Sequence, residues 1–111
     1  MEQKIIIIRL KGGLGNQMFQ YAYGRKLSFK SGATLKLDKS LLRRRLRQIL
    51  IGTTPREYEL GQFNIQTELK KGDSQNCLDG FWQSEKYFKD IRNILLKDFT
   101  LKKETSNFLK I

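Results

Sequence analysis

Six residues near the start of the chain, Gly12-Gly13-Leu14-Gly15-Asn16-Gln17, carry its strongest chemical signal. Glycines let the backbone turn tightly. A turn that feeds straight into a helix leaves N–H groups without intrahelical partners beside the positive helix end, which attracts anions and phosphate in particular. The same residues would also serve as a tight strand-to-helix turn with no ligand. Neither of the common phosphate loops fits well. A dinucleotide fingerprint on Gly13 and Gly15 needs a third glycine where Met18 stands, and no Gly-Lys-Ser/Thr follows for a Walker-type loop. Met18 therefore argues against a nicotinamide-binding unit, although Asp38 imitates the ribose-binding acid of such folds.

Two further stretches could do chemistry. In Phe81-Trp82-Gln83-Ser84-Glu85-Lys86-Tyr87-Phe88, an aromatic face and an amide at Trp82 and Gln83 would suit a polyol. The competing reading is a strand-to-helix corner packed by aromatics, with Phe81 and Phe88 in the core. Arg43, Arg44, Arg45 and Arg47 form a basic run. It lacks the aromatic platform of a nucleic-acid module, so it reads as a solvated helix face or as a dock for acidic lipid headgroups.

The elements that must position these residues follow from periodicity. Lys4 to Leu10 reads as a strand, its unalternated β-branched run suiting burial on both faces of a parallel sheet. Helical spacing begins at Asn16, which can cap the helix, and Ser31-Gly32 stops it. Met18, Ala22 and Phe29 share one face of this helix, with Phe19, Tyr23 and Leu27 beside them. The helix should pack on the sheet through Phe19, Ala22 and Leu27. Thr34 to Leu37 reads as a second strand, parallel to the first because a helical crossover joins them. Leu41 to Ile51 reads as a basic amphipathic helix, broken by Gly52-Thr53-Thr54-Pro55. Tyr58 to Ile65 is strand-like or turn-rich, and Lys70 to Asn76 is a polar loop. Cys77 to Gln83 is a third strand, and Ser84 caps a helix from Glu85 to Phe99. The tail from Leu101 reads as the start of another helix. The expected fold class is α/β: a Rossmann-like, mostly parallel sheet with flanking helices.

Composition narrows the functions. In 111 residues there are 22 Lys and Arg against 11 acids, a net charge of +11, with no histidine and one cysteine. A histidine triad, a histidine general base and a histidine metal site are excluded. An intrachain disulfide and a multi-cysteine zinc site are excluded too. The single cysteine, with no export signal, suggests the cytoplasm. The basic balance fits a polyanionic partner, whether nucleic acid, acidic lipid or a phosphorylated small molecule.

The motifs together resemble a known family. Gly12-Gly13-Leu14-Gly15-Asn16-Gln17-Met18-Phe19-Gln20-Tyr21-Ala22 is similar to the opening of bacterial α-1,2-fucosyltransferases, glycosyltransferase family 11. Arg56-x-Tyr58-Glu59-Leu60-x-x-Phe63-Asn64-Ile65 and the stretch from Gly80 to Phe88 recur there in the same order. The resemblance implies the N-terminal half of a GT-B glycosyltransferase, whose donor lies in a cleft between two Rossmann-like domains. It implies transfer of L-fucose from GDP-fucose to the 2-hydroxyl of a galactoside, with inversion and without a metal or other cofactor. Gly13, Gly15, Asn16 and Gln17 become donor-loop residues, and Asp38, Trp82 and Gln83 candidates for acceptor or cleft contacts. The residues leave the general base open among Asp38, Glu57 and Asp79.

The His-x-Arg-Arg-x-Asp motif that grips the donor in the family is absent, since the chain has no histidine. Arg43-Arg44-Arg45 is not a copy of it, because no Asp follows at the required spacing. The expectation is an N-terminal portion, residues 1–111, lacking the donor-binding domain and inactive alone, with peripheral membrane contact through Arg43, Arg44, Arg45 and Arg47. The alternative is a small basic protein that binds RNA or an acidic membrane surface, marked by a continuous stripe joining the Arg43 helix to Lys70-Lys71.

Overall fold

The computed structural model describes residues 4–42, 58–65, 67–70 and 77–102. Strand β1 (Ile5–Arg9) pairs in parallel with β2 (Thr34–Asp38), in register from Ile5 opposite Thr34 to Arg9 opposite Asp38. Helix α1 (Leu14–Ser31) joins them, as the βαβ reading requires. A short strand, β3 (Glu68–Lys70), continues the sheet in parallel on the far side of β2. The fold is therefore α/β with a Rossmann-like parallel sheet. β3 overlaps the start of the expected polar loop, because three residues are too few for a period to show.

The expected strand over Cys77–Gln83 shrinks to one parallel bridge, Leu78 opposite Ile8 on the free edge of β1. Leu78 donates its N–H to the Ile7 carbonyl at 2.8 Å and accepts from the Arg9 N–H at 3.0 Å. Gly80 and the left-handed Trp82 (φ 47°) then turn the chain away from strand geometry. The chain thus winds outward from β1 to β3 and returns on the other side of β1. That reversal makes a topological switch point, where the loops after neighbouring strands diverge and leave a crevice.

Helix α1 starts two residues before the expected Asn16, with Gly13 as a cap that uses no side chain. It ends as expected at Gly32, whose φ of 76° suits a glycine and whose N–H bonds the Ser28 carbonyl. Its buried residues are Gln17, Gln20, Tyr21, Ala22 and Gly24, so only Ala22 of the expected packing trio is buried. A Cβ on Gly24 would lie 2.6 Å from Ile8 Cγ1 and 2.8 Å from Leu35 Cδ1, which marks where helix and sheet approach most closely. Because glutamine, tyrosine and glycine fill that contact stripe, the apolar side chains sit to its sides. Met18 and Tyr23 border the core, Phe19 meets the Phe88 ring at 5.9 Å, and Phe29 is 58% exposed.

The core gathers Ile8, Leu10, Leu35 and Leu37 from the sheet with Tyr21, Leu60, Phe63 and Leu95. β1 is not buried throughout, since Ile5 is exposed and Ile6 and Ile7 are half-buried. The long helix expected over Glu85–Phe99 is divided into 3-10 turns at Glu85–Tyr87 and Lys89–Ile91, then α2 (Arg92–Asp98). Phe88, at φ −149° between the two turns, breaks the helical path. Ser84 does cap the first turn, accepting the Lys86 N–H. Within 58–65 the chain forms a 3-10 turn at Leu60–Gln62, and Phe63 bridges Leu101 in antiparallel sense. The expected Leu41–Ile51 helix lies almost wholly outside the described residues, and so does most of the tail.

Candidate functional site

The glycine-rich turn leaves the carboxyl end of β1, and two buried glutamines of α1 fix its path. Gln20 forms a two-way lock on Lys11: its Oε1 accepts the Lys11 N–H at 3.0 Å and its Nε2 donates to the Lys11 carbonyl at 3.1 Å. Gln17 Nε2 donates to the Gly12 carbonyl at 3.0 Å, and its Oε1 accepts the Glu59 N–H at 2.9 Å. Both side chains are 0% exposed, where an amide without partners would be costly. Gly12 needs its φ of 81° to make the turn, and a Cβ there would lie 2.5 Å from Asn16 Nδ2. The left-handed conformation favours glycine at this position, and a side chain there would push the Asn16 amide aside.

The loop then presents a mouth. Gly13 caps α1, Gly15 is exposed with nothing within 4 Å of a hypothetical Cβ, and Asn16 lies at the third helical position. The first-turn N–H groups of a helix have no intrahelical acceptor, so they face this opening with the positive helix end. Across the switch point Gln83 Nε2 donates to Asn16 Oδ1. A tight turn around Gln83, in which the Ser84 N–H bonds the Trp82 carbonyl at 2.8 Å, projects Gln83 toward the loop.

The same edge of the sheet carries charge. Lys11 Nζ pairs with Asp79 and lies 4.5 Å from the centre of the Phe81 ring. The Arg9 guanidinium is within 3.8 Å of both Asp38 and Asp79. Asp79 is the accessible carboxylate of this set, with its side chain 41% exposed. Asp38 is fully buried, and its Oδ1 accepts the Ser40 N–H at 2.8 Å.

The structure therefore brings Asn16 and Gln83 into contact at the exposed start of α1, beside Gly13 and Gly15, and Asp79 pairs with Lys11 just before the loop. Gln17 sits beneath them as a brace between the loop and Glu59. Asp38 ends β2 on the same edge but faces the interior. Trp82 stacks on Tyr23 at 4.5 Å and 20° between planes, while a Cβ on Gly80 would be 2.9 Å from its ring. This is the packed aromatic corner. Gln83 and Ser84 also border an apolar groove of about 520 Å³, lined in part by Phe19, Phe88, Leu95 and Phe99. The sequence reading overlooked Gln20 and Lys11. A usable signal was present: two glutamines three residues apart, one turn after the glycines, on what must be the sheet-facing side of the helix.

Among candidate bases, Asp38 is enclosed, Asp79 is accessible, and Glu57 is outside the described residues. Arg43, Arg44, Arg45, Arg47 and Lys71 are outside them as well, and the charge stripe that would mark an RNA- or membrane-binding protein falls on those residues.

Over 74 residues the chain is 36% identical to an alpha-1,2-colitosyltransferase of Escherichia coli; the match covers 67% of this chain and 23% of that protein. No protein-family model matches the chain, and no solved structure does. The chain thus shares sequence with a glycosyltransferase while spanning less than a quarter of that protein's length.

Proposed function

We propose that this chain is the N-terminal Rossmann-like portion of a glycosyltransferase that uses a nucleotide-sugar donor and a sugar acceptor. The observation that carries this reading is the 74-residue match to a glycosyltransferase. The geometry supports it, since the glycine loop, Asn16 and Gln83 meet at a switch point at the carboxyl edge of a parallel sheet, where such folds bind ligands.

The finer reading is α-1,2-fucosyl transfer from GDP-fucose to a galactoside 2-hydroxyl, with inversion and without a metal. The linkage in the relative's name, α-1,2, agrees with the linkage implied by the family 11 motifs. As the glycosidic bond breaks, negative charge grows on the diphosphate, and preorganised donors lower that barrier. The first-turn N–H groups at Gly13 and Gly15, with the positive helix end, and the Asn16 amide supply donors. Gln17 acts one layer below, holding the Gly12 carbonyl so that the loop keeps its shape. Among the described residues Asp79 is the accessible one of the candidate bases, and it is ion-paired with Lys11 and Arg9. The protein works in the cytoplasm, with Arg43, Arg44, Arg45 and Arg47 offering contact to acidic lipid at the membrane's inner face.

The test is a chimera in which this chain replaces the matching segment of the colitosyltransferase. The chimera should transfer a sugar from a nucleotide-sugar donor, and comparing GDP-fucose with the colitosyltransferase's own donor reads the sugar preference. The 111-residue chain alone should show no transfer. A chimera that is folded but inert toward both donors overturns glycosyl transfer, and robust turnover by the isolated chain overturns the shared-cleft reading.

A further inference from the structure

A carboxamide is nearly symmetric in shape but not in chemistry, so its orientation decides whether it offers hydrogen-bond donors or an acceptor. Asn16 is such a group at the mouth. Its Oδ1 is taken by the Gln83 Nε2–H, and its Nδ2 lies over Gly12, where even a Cβ would come within 2.5 Å. Among the described residues no acceptor is bonded to that Nδ2. Gln83 itself is exposed and reaches Asn16 from 67 residues along the chain, by way of the left-handed Trp82 and the turn that follows it.

We propose that Gln83 is a positioning residue: it holds the Asn16 amide so that the N–H₂ group, and not the oxygen, is presented at the glycine-rich mouth. Asn16 then acts as a donor only, selecting electron-rich oxygens such as those of a phosphate. An Asn16 with its oxygen outward would repel the same group. The aromatic corner acquires a purpose beyond packing, since Tyr23 stacked on Trp82 fixes the turn that aims Gln83. The orientation is a property of this chain alone, whereas its use on a phosphate rests on the glycosyl-transfer reading.

Isotope-labelled 111-residue chain tests both parts by NMR. The Asn16 Nδ2 protons should show a nuclear Overhauser contact to the Gly12 α-protons. In Gln83→Glu residue 83 can only accept, so the amide must turn toward it and that contact should vanish. Gln83→Met, which has neither donor nor added charge, should weaken the contact to roughly half, because neither orientation is then favoured. Titration with GDP should shift the Asn16 side-chain resonances, with affinity lower by about threefold in Gln83→Met and tenfold or more in Gln83→Glu. An unchanged Gly12 contact in both variants, with unchanged melting temperature, overturns the positioning role. If the contact responds as expected but wild-type chain ignores GDP, the inference on orientation stands and the use of Asn16 on a phosphate falls, while the chimera decides the nucleotide-sugar reading separately.

Discussion

The two sides of α1 use polar groups in opposite ways. Toward the glycine loop, Gln17 and Gln20 bond backbone atoms, which makes neutral locks on the turn and leaves the next residues, Gly13, Gly15 and Asn16, at an opening. Toward α2, polar side chains bond one another. Tyr21 Oη donates to Asp98 Oδ2 at 2.6 Å, and Arg25 Nε reaches the same oxygen at 3.0 Å. The rings of Phe63 and Phe99 close over this knot, with Tyr21 and Phe99 5.5 Å apart edge to face. One side spends its hydrogen bonds on the shape of a loop, the other on joining two distant segments. Function and stability should therefore separate along a single helix.

The sharpest break in that comparison is Gln20→Leu. The leucine fills the space but strands the N–H and carbonyl of Lys11, so urea unfolding should show a loss of about 2–4 kcal/mol. The loop should also lose its shape, and GDP binding should fall by more than stability alone explains. A loss below about 1 kcal/mol would mean that the turn holds itself.

Tyr21→Phe probes the other side and should cost about 1–2 kcal/mol, since a hydrogen bond to a charged group is lost while Asp98 keeps Arg25. GDP binding should be unaffected. This knot also sets a pH dependence. Burial first, then the bond to Asp98, raises the Tyr21 phenol above the ordinary value of about 10. The folded chain then keeps a proton that the unfolded chain releases. Its contribution is fully present below about pH 10 and is lost as pH climbs toward the raised value, by up to about 1.4 kcal/mol per pH unit. Burial raises Tyr58 in the same direction, so the difference between wild type and Tyr21→Phe across pH 9–11 isolates Tyr21.

The smallest expected effect is Asn16→Ala on stability. A true cap would cost about 0.5–2 kcal/mol to remove, but Gly13 caps α1 and the Asn16 bond to Gln83 is exposed. The melt should shift by less than about 0.5 kcal/mol, while GDP affinity drops. A larger loss would return Asn16 to a structural role.

Local rules in the sequence determined much of this protein. The isoleucine run, the glycine turn, the end of α1 at Gly32 and the parallel pairing of β1 with β2 all follow from short-range propensity and from a helical crossover between the two strands. The glycine loop is legible as a tight strand-to-helix turn, and so as a candidate site, for the same reason, because its conformational demands are written in consecutive residues. Other features depend on partners far away in sequence and have no local signature. Gln17 and Gln20 look like ordinary polar helix residues until the sheet buries them, and Asp38 looks like a ligand contact until Arg9 and Ser40 enclose it. The turn at Trp82 halts a strand that its aromatic composition favours, because stacking on Tyr23 holds the left-handed backbone. The meeting of Asn16 with Gln83 is decided by the reversal of winding between β1 and Leu78, since only the folded sheet sets residues 67 apart on the two lips of one crevice.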